Sequence, residues 1–348
     1  MARFIYGIDE LRKEDNELVG KKCANLGELT NAGFRVPPGF ALGVDAYARF
    51  MKETGLVTKI DEYIESIGLD PNNTADIGKY ELASQAIRRM VEGTELPSDL
   101  DSAIREHYQT LCQATGVESV PVATRSAGPS SHPGQYESYL YISGASDVVR
   151  YVRKVWSSTF NTRSIIARAR QRLPLSYDPI GAAVLKMVNA RSAGVMFTMN
   201  PADGDRSVVY VESNWGLGES IVAGDVTPDK FYVSKTSGEV IKRTISPKTV
   251  WYVFDHMAGR VVPQPVPEDK RMASSLKDEH LQELIKLGLG IEQHFGVPQD
   301  IEWGVDSDIK FPDNVLLLQA RAVKNPKEKK DPADRIIDLM VRGITARR

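Results

Sequence analysis

Two strand-like segments near the end of the chain, residues 300–305 and 315–321, are separated by the polar stretch 306–314. Successive side chains of a strand point to opposite faces, so the first segment has an apolar face and a polar face. Its apolar face carries Ile301, Trp303 and Val305. Pairing the two segments as a hairpin through their apolar faces brings four polar side chains together: Asp300, Glu302, Gln319 and Arg321.

Strict alternation divides the second segment in the same way. It predicts an apolar face formed by Leu316, Leu318 and Ala320, and it places Leu317 on the opposite face with Gln319 and Arg321. A solvated edge hairpin with an incidental ion pair would also bring a carboxylate near an arginine. The apolar run 315–318, which ends abruptly at Gln319, favours a buried hairpin instead.

Hard oxygen donors beside a guanidinium group are what a Mg²⁺ ion bridging two phosphates requires. Asp300 and Glu302 would supply carboxylates, and Gln319 would supply an amide oxygen. Arg321 offers a planar fork of donors that suits a phosphate group. The hairpin therefore predicts a site for magnesium and phosphate.

Length and charge limit the other possibilities. A chain of 348 residues exceeds the size at which one core usually stops growing, so we expect at least two lobes. Its 44 basic and 46 acidic residues are well mixed, which disfavours nucleic acid or an anionic membrane as a partner. Two cysteines, Cys23 and Cys112, suit a reducing cytoplasm, and no segment is apolar enough to be a signal peptide or a membrane span.

The periodicity changes along the chain. Residues 44–108 have mostly helical spacing and predict a helical cap, and 145–171 predicts one long helix. The second half has short β-rich segments that we assign to a sheet-based lobe: 180–188, 193–199, 207–212 and 230–234. Residues 279–295 predict a helix with one face on a core. The sequence has neither the glycine pattern of a dinucleotide-binding turn nor that of a P-loop.

Seven motifs occur in a fixed order along the chain: 19–29, 36–40, 125–126, 194–198, 212–228, 299–303 and 318–321. Together they resemble the N-terminal ATP-grasp domain of phosphoenolpyruvate synthase, pyruvate phosphate dikinase and rifampicin phosphotransferase, over about residues 5–323. The resemblance implies an α+β ATP-grasp fold that binds Mg²⁺ and ATP. The expected division is an N-terminal lobe with a helical cap (1–180), a C-terminal lobe (181–323), and a linker and docking tail (324–348).

The resemblance also implies roles for individual residues. Lys22, Arg125 and Arg321 match the catalytic cations that contact the phosphates, and Glu302 and Gln319 match the metal ligands, with Asp300 beside them. Further nucleotide contacts are expected at Ser126, Lys186, Met187 and Val188. The last three belong to the strand 184–188, which matches the segment whose backbone receives adenine. These roles agree with phosphoryl transfer, in which positioning and cations provide most of the catalysis.

Three departures from the family shape the functional expectation. The loop after Arg125 is short and contains Pro129 and Pro133, so its closure over the phosphates should differ. Leu185 replaces a glutamine of many relatives, which leaves the backbone to contact adenine. No segment resembles the swivelling phosphohistidine domain. We therefore expect the acceptor histidine on a separate subunit, with AMP and phosphate as products and possible phenol phosphorylation as in phenylphosphate synthase. The alternatives are a fragment of a phosphoenolpyruvate synthase-like enzyme and a regulatory subunit without activity.

Overall fold

The helical spacing of residues 44–108 corresponds to four helices in the computed structural model, which describes residues 3–129 and 136–323. They are α3 (Val44–Glu53), α4 (Leu56–Ser66), α5 (Ile77–Gly93) and α6 (Ser98–Thr115). Asp76 caps the start of α5, where its side chain accepts a hydrogen bond from the amide of Lys79. Buried side chains of all four helices belong to one apolar core that also covers the first sheet.

The other helices of the described residues are α1 (Asn16–Val19), α2 (Lys21–Asn31), α7 (Ala145–Ser157), α8 (Thr162–Arg170), α9 (Glu219–Val222), α10 (Glu268–Arg271) and α11 (Asp278–Phe295). The helix predicted over 279–295 is confirmed as α11. The single helix predicted over 145–171 is wrong, because a 3₁₀ turn at Ser158–Phe160 separates α7 from α8. Asn161 then starts α8, where its side chain accepts a hydrogen bond from the amide of Ser164.

The first sheet has five antiparallel strands in the order β1-β2-β5-β3-β4. These strands are β1 (Ile5–Gly7), β2 (Gly39–Leu42), β3 (Val122–Ala127), β4 (Ser138–Ile142) and β5 (Gly181–Lys186). Our assignment of 180–188 to the sheet of the second half is wrong, since β5 lies at the centre of the first sheet. Its two faces enter two different apolar cores, so a short run of small apolar residues could not reveal its partners.

The second sheet has six antiparallel strands in the order β13-β12-β6-β7-β8-β9. These strands are β6 (Ala190–Phe197), β7 (Val208–Trp215), β8 (Asp229–Ser234), β9 (Val240–Thr244), β12 (Gln299–Asp306) and β13 (Val315–Ala322). Strands β10 (Val250–Asp255) and β11 (Arg260–Pro265) form a separate hairpin. Helix α11 covers one face of the six-stranded sheet, which leaves the opposite face for the site described below.

Strand β13 is the edge of the second sheet, and the N-terminal part of the chain covers it. Asn25 of α2 donates a hydrogen bond to the carbonyl of Ala320 at 2.8 Å. The amide of Leu317 donates to the carbonyl of Arg35 at 2.9 Å, and Arg35 Nε donates to the carbonyl of Val315 at 3.3 Å. These bonds satisfy backbone groups that an open edge would expose. They also fix α2 beside β13.

Some predictions fall outside the described residues. They include the central part of the loop after Arg125, with His132 and Pro133, and the linker and docking tail 324–348. Within residues 3–129 and 136–323, no helix is both long and apolar enough to cross a bilayer.

Candidate active site

The hairpin β12–β13 brings together the four polar residues that alternation predicts. Asp300 pairs in register with Arg321, and Glu302 pairs with Gln319. Their neighbours on the other face belong to the core beneath α11: Ile301, Trp303, Val305, Val315, Leu317 and Ala320. The polar face is therefore held in place by a packed apolar face.

A β-bulge at Leu318 changes the second strand. Glu302 pairs with Gln319, but the next residue, Trp303, pairs with Leu317, so Leu318 is the extra residue. The predicted faces of Leu317 and Leu316 are consequently wrong. Leu317 lies in the core and Leu316 lies opposite Gly304, because one inserted residue reverses the alternation beyond it.

Arg125 connects the two sheets. It lies on β3, and its guanidinium donates to Glu302 Oε2 at 2.8 Å and to the carbonyl of Leu318 at 3.1 Å. Burial alone would raise the pKa of Glu302. Arg125, followed by Lys22 and Arg321, outweighs this effect, and the pKa of Glu302 lies below its ordinary value. Glu302 is therefore a carboxylate at neutral pH.

Asp300 and Arg321 form the second ion pair of the hairpin. Arg321 Nε lies 2.8 Å and Nη2 lies 2.7 Å from Asp300 Oδ2. Burial raises the pKa of Asp300 above its ordinary value, and Arg321 opposes part of that rise. The Arg321 side chain keeps 36% of its surface exposed, so it can contact a ligand while it remains paired.

Lys22 reaches this face from the first turn of α2. Burial, followed by the charge of Arg125, lowers the pKa of Lys22 to about 8. Gly20, with φ +80°, allows the helix to begin here, because a Cβ at this position would lie 2.4 Å from the backbone of Ala127. The amide of Lys21 also donates to the carbonyl of Gly128 at 3.2 Å. The start of α2 thus abuts the end of β3.

The donor set fits Mg²⁺. Gln319 is buried, and its Oε1 has no hydrogen-bond partner among the described residues, although it lies opposite the carboxylate of Glu302 in register. Among the described residues, no three His, Cys, Asp or Glu side chains lie close enough together to hold a metal ion by themselves. Magnesium commonly takes one or two protein carboxylates and completes its shell with phosphate and water. Glu302 and Gln319, with Asp300 nearby, match that pattern.

The remaining predicted contacts lie along the first sheet. Ser126 is buried on β3 next to Arg125, and Lys186 ends β5. The amides of Lys186 and Met187 already donate to the carbonyls of Pro38 and Pro121, each at 2.8 Å. The amide of Val188, by contrast, has no acceptor within the described residues. Of the three, Val188 is the one that can offer an N–H to a ligand.

Comparisons with known proteins identify the family of the chain. A family model described as "Pyruvate phosphate dikinase, AMP/ATP-binding domain" matches residues 16–338. The chain belongs to this family. The predicted resemblance is therefore confirmed.

Several curated phosphoenolpyruvate synthases are similar to this AMP/ATP-binding domain. A probable phosphoenolpyruvate synthase of Methanocaldococcus jannaschii is 40% identical over 355 residues, which cover 99% of this chain and 29% of that protein. A probable one of Staphylothermus marinus is 38% identical and covers 98% and 44%. The phosphoenolpyruvate synthase of Aeropyrum pernix is 35% identical and covers 99% and 46%. The chain thus spans less than half the length of these relatives.

Two contacts of Arg125 in this AMP/ATP-binding domain were not predicted from the sequence. The carbonyl of Leu318 orients Arg125, and only the bulge, which alternation does not reveal, exposes it. Glu219 lies near enough to Arg125 for the guanidinium to oppose the rise that burial causes in the pKa of Glu219. Glu219 lies within the motif 212–228, so its position in that motif was the available signal.

Proposed function

We propose that this chain is the Mg-ATP-binding domain of a phosphoenolpyruvate synthase-like phosphotransferase, and that its two sheets form an ATP-grasp fold around the nucleotide. It activates ATP so that the β-phosphoryl group passes to a histidine outside the chain and water takes up the γ-phosphoryl group, leaving AMP and phosphate. The observation that carries the proposal is the meeting of three cations from α2, β3 and β13 at one hairpin face that also holds an orphaned amide oxygen.

We call this group the phosphate end of the site: Lys22, Arg125, Asp300, Glu302, Gln319 and Arg321. Phosphoryl transfer requires little covalent chemistry from the protein, because charge stabilisation and alignment lower most of the barrier. Lys22, Arg125 and Arg321 would bind phosphate oxygens and stabilise the charge that develops on them. Glu302 and Gln319 would hold Mg²⁺, with Asp300 beside them. When bound, the ion neutralises and orients the phosphates.

Adenine would lie at the other end, against the segment 186–188 that leaves the first sheet. Val188 is 5% exposed, and its free amide can donate to a ring nitrogen of the base. Ser126 follows Arg125 on β3 and would contact the phosphates beside it. This placement would extend ATP along the hairpin face from base to phosphate.

Nucleotide binding is tested by thermal unfolding with Mg-ATP. At about 100 times its dissociation constant, a ligand stabilises the folded chain by about 2.7 kcal/mol. The expected result is a rise in melting temperature that disappears when EDTA removes the metal. An unchanged melting temperature would instead indicate a regulatory chain that kept the fold and lost the nucleotide.

Transfer is tested with ATP labelled at the β-phosphorus. The chain is supplied with either of two acceptors: the remaining part of a phosphoenolpyruvate synthase-like polypeptide, or a separate phosphohistidine subunit of the phenylphosphate synthase type. The limited coverage of the long relatives favours the first acceptor. Label on a histidine of the first supports the domain reading, and label only on the second supports the split arrangement. Binding of ATP without label on either acceptor would refute the transfer step.

A further inference from the structure

Asp306 is a buried carboxylate that the phosphate end does not use. It ends β12 on the face shared by Asp300, Glu302 and Gly304, and it is only 1% exposed. Its Oδ1 accepts a hydrogen bond from the amide of Asp308 at 2.8 Å. Its Oδ2 has no hydrogen-bond partner among the described residues.

The nearest cation does not satisfy this oxygen. Lys186 Nζ lies 3.9 Å from Asp306 Oδ2, which is an ion-pair distance but too long for a hydrogen bond. A buried polar atom without a partner is costly, so such atoms in folded proteins usually have a missing partner to be identified. Here a ligand group that carries an N–H would supply it.

The surroundings point to the base of the nucleotide. Lys186 belongs to the segment 186–188 that the proposed function places against adenine. Tyr141, whose φ of +57° is unusual for a bulky residue, stacks on Phe254 with centroids 4.3 Å apart. Burial, followed by the charges of Asp306 and Asp308, raises the pKa of the Tyr141 hydroxyl to about 12, so that hydroxyl lies within electrostatic range of the Asp306 carboxylate.

The distance along the strand also suits a nucleotide. Asp306 is four residues beyond Glu302, which corresponds to about 13 Å at about 3.3 Å per residue. This span is comparable to that between the base and the outer phosphates of an extended nucleoside triphosphate. Gly304 lies between them, and a Cβ there would contact only Val188 at 3.4 Å and Leu318 at 3.7 Å. The middle of the face is therefore lined by two apolar side chains, Val188 and Leu318, against which the sugar would pack.

We propose that Asp306 Oδ2 accepts a hydrogen bond from the 6-amino group of adenine and makes the site selective for 6-aminopurines. This inference rests on the proposed ATP site. Guanine and hypoxanthine carry an oxygen at that position, and a carboxylate has no proton to donate to it. Lys186, whose side chain is 25% exposed and makes no hydrogen bond to Asp306, is the flexible group that can yield as the base enters.

The test compares three nucleotides as magnesium complexes: ATP, purine riboside triphosphate, which lacks the 6-amino group, and inosine triphosphate, which has a 6-oxo group. Calorimetric affinities are measured for the wild type, Asp306→Ala and Asp306→Asn. The wild type should bind ATP about tenfold or more tightly than purine riboside triphosphate, because deleting the amino group leaves a buried carboxylate unpaired. Asp306→Ala should bind ATP and purine riboside triphosphate with affinities within about threefold of each other, since the carboxylate that would accept from the 6-amino group is gone.

Asp306→Asn serves as the second variant, since it keeps the volume and the acceptor for the amide of Asp308. Its amide can also donate to a 6-oxo group, so its preference for ATP over inosine triphosphate should fall by about tenfold. Asp308→Asn is the matched control: this exposed carboxylate lies two residues away, and the variant should keep the wild-type ratios. Melting temperatures without nucleotide confirm that each variant is folded.

The proposal is overturned if wild type does not distinguish ATP from purine riboside triphosphate, or if both Asp306 variants keep its ratio. If wild type binds none of the three nucleotides, the ATP site itself is refuted. That result differs from equal binding of all three, which would leave ATP binding intact and remove only the role of Asp306.

Discussion

The two ends of the hairpin face satisfy their charges in different ways. At the phosphate end each carboxylate has an arginine within 2.8 Å, as in the pairs Arg125–Glu302 and Arg321–Asp300. At the base end, formed by residues 186–188 and Asp306, the nearest cation lies 3.9 Å from the carboxylate oxygen. Both carboxylates of the phosphate end are therefore paired before any ligand arrives, while the carboxylate of the base end keeps an oxygen without a hydrogen-bond partner among the described residues.

This difference has a consequence for binding. A ligand at the phosphate end must exchange existing ion pairs for new ones, so metal and phosphates should enter together. A ligand at the base end completes a hydrogen bond that is missing and shifts only the partly exposed Lys186 side chain. Changes at the phosphate end should accordingly have larger effects and should couple metal to nucleotide, whereas changes at the base end should alter selectivity.

The largest effect is expected for Glu302→Gln. The amide keeps the shape of the side chain but removes the charge that would bind Mg²⁺ and that now pairs with Arg125. Loss of a charged metal ligand should weaken Mg-ATP binding by about 100-fold, at least as much as the loss of supporting residues around metal sites. Calorimetric titration with Mg-ATP measures the change.

Glu212→Gln is the control for that substitution. Glu212 lies on the same face two strands away, since both residues pair with Val195, and its partners are Tyr210 and Lys230. It should bind Mg-ATP like the wild type. Equal weakening by the two variants would mean that the whole face, and not the hairpin carboxylate, sets the affinity.

The sequence predicted the four hairpin residues of the phosphate end because alternation is a local rule, whereas Lys22 and Arg125 were predicted only from the family resemblance. Asp300, Glu302, Gln319 and Arg321 meet as expected, since register follows once the apolar faces pair. It could not predict the bulge at Leu318, because a single extra residue leaves no pattern in an apolar run. The placement of β5 failed for a related reason, since sheet order depends on contacts between residues far apart in the chain.

The second prediction concerns metal binding without nucleotide. Arg125 forms an ion pair with Glu302 in the free chain, so it competes with a metal ion for that carboxylate. Arg125→Gln should bind Mn²⁺ alone roughly tenfold more tightly than wild type, while its affinity for Mg-ATP falls because a phosphate contact is lost. Electron paramagnetic resonance of free Mn²⁺ measures the first quantity. Weaker Mn²⁺ binding by the variant would show that the ion pair does not compete with the metal.

The third prediction concerns pH. Lys22 has a pKa of about 8 in the free chain, well below the ordinary pKa of a lysine, because burial and the charge of Arg125 disfavour the protonated form. Phosphate oxygens favour the charged form, so binding above pH 8 requires proton uptake. Affinity for Mg-ATP should be flat below pH 8 and fall by up to about tenfold per unit above it. Lys22→Arg, which stays charged, should remove this dependence; an unchanged profile in that variant would assign the titration to another group.

The smallest effect is expected at the middle of the face. In Gly304→Ala the added methyl would touch Val188 at 3.4 Å and Leu318 at 3.7 Å, which are ordinary contacts, and the backbone is not in the left-handed region. The variant should fold with a melting temperature close to wild type and bind Mg-ATP within about threefold, since the added methyl group makes only ordinary van der Waals contacts and requires no backbone strain. A loss as large as that of Glu302→Gln would mean that the ligand lies directly on Gly304, and the two ends would then have to be treated as one continuous contact surface.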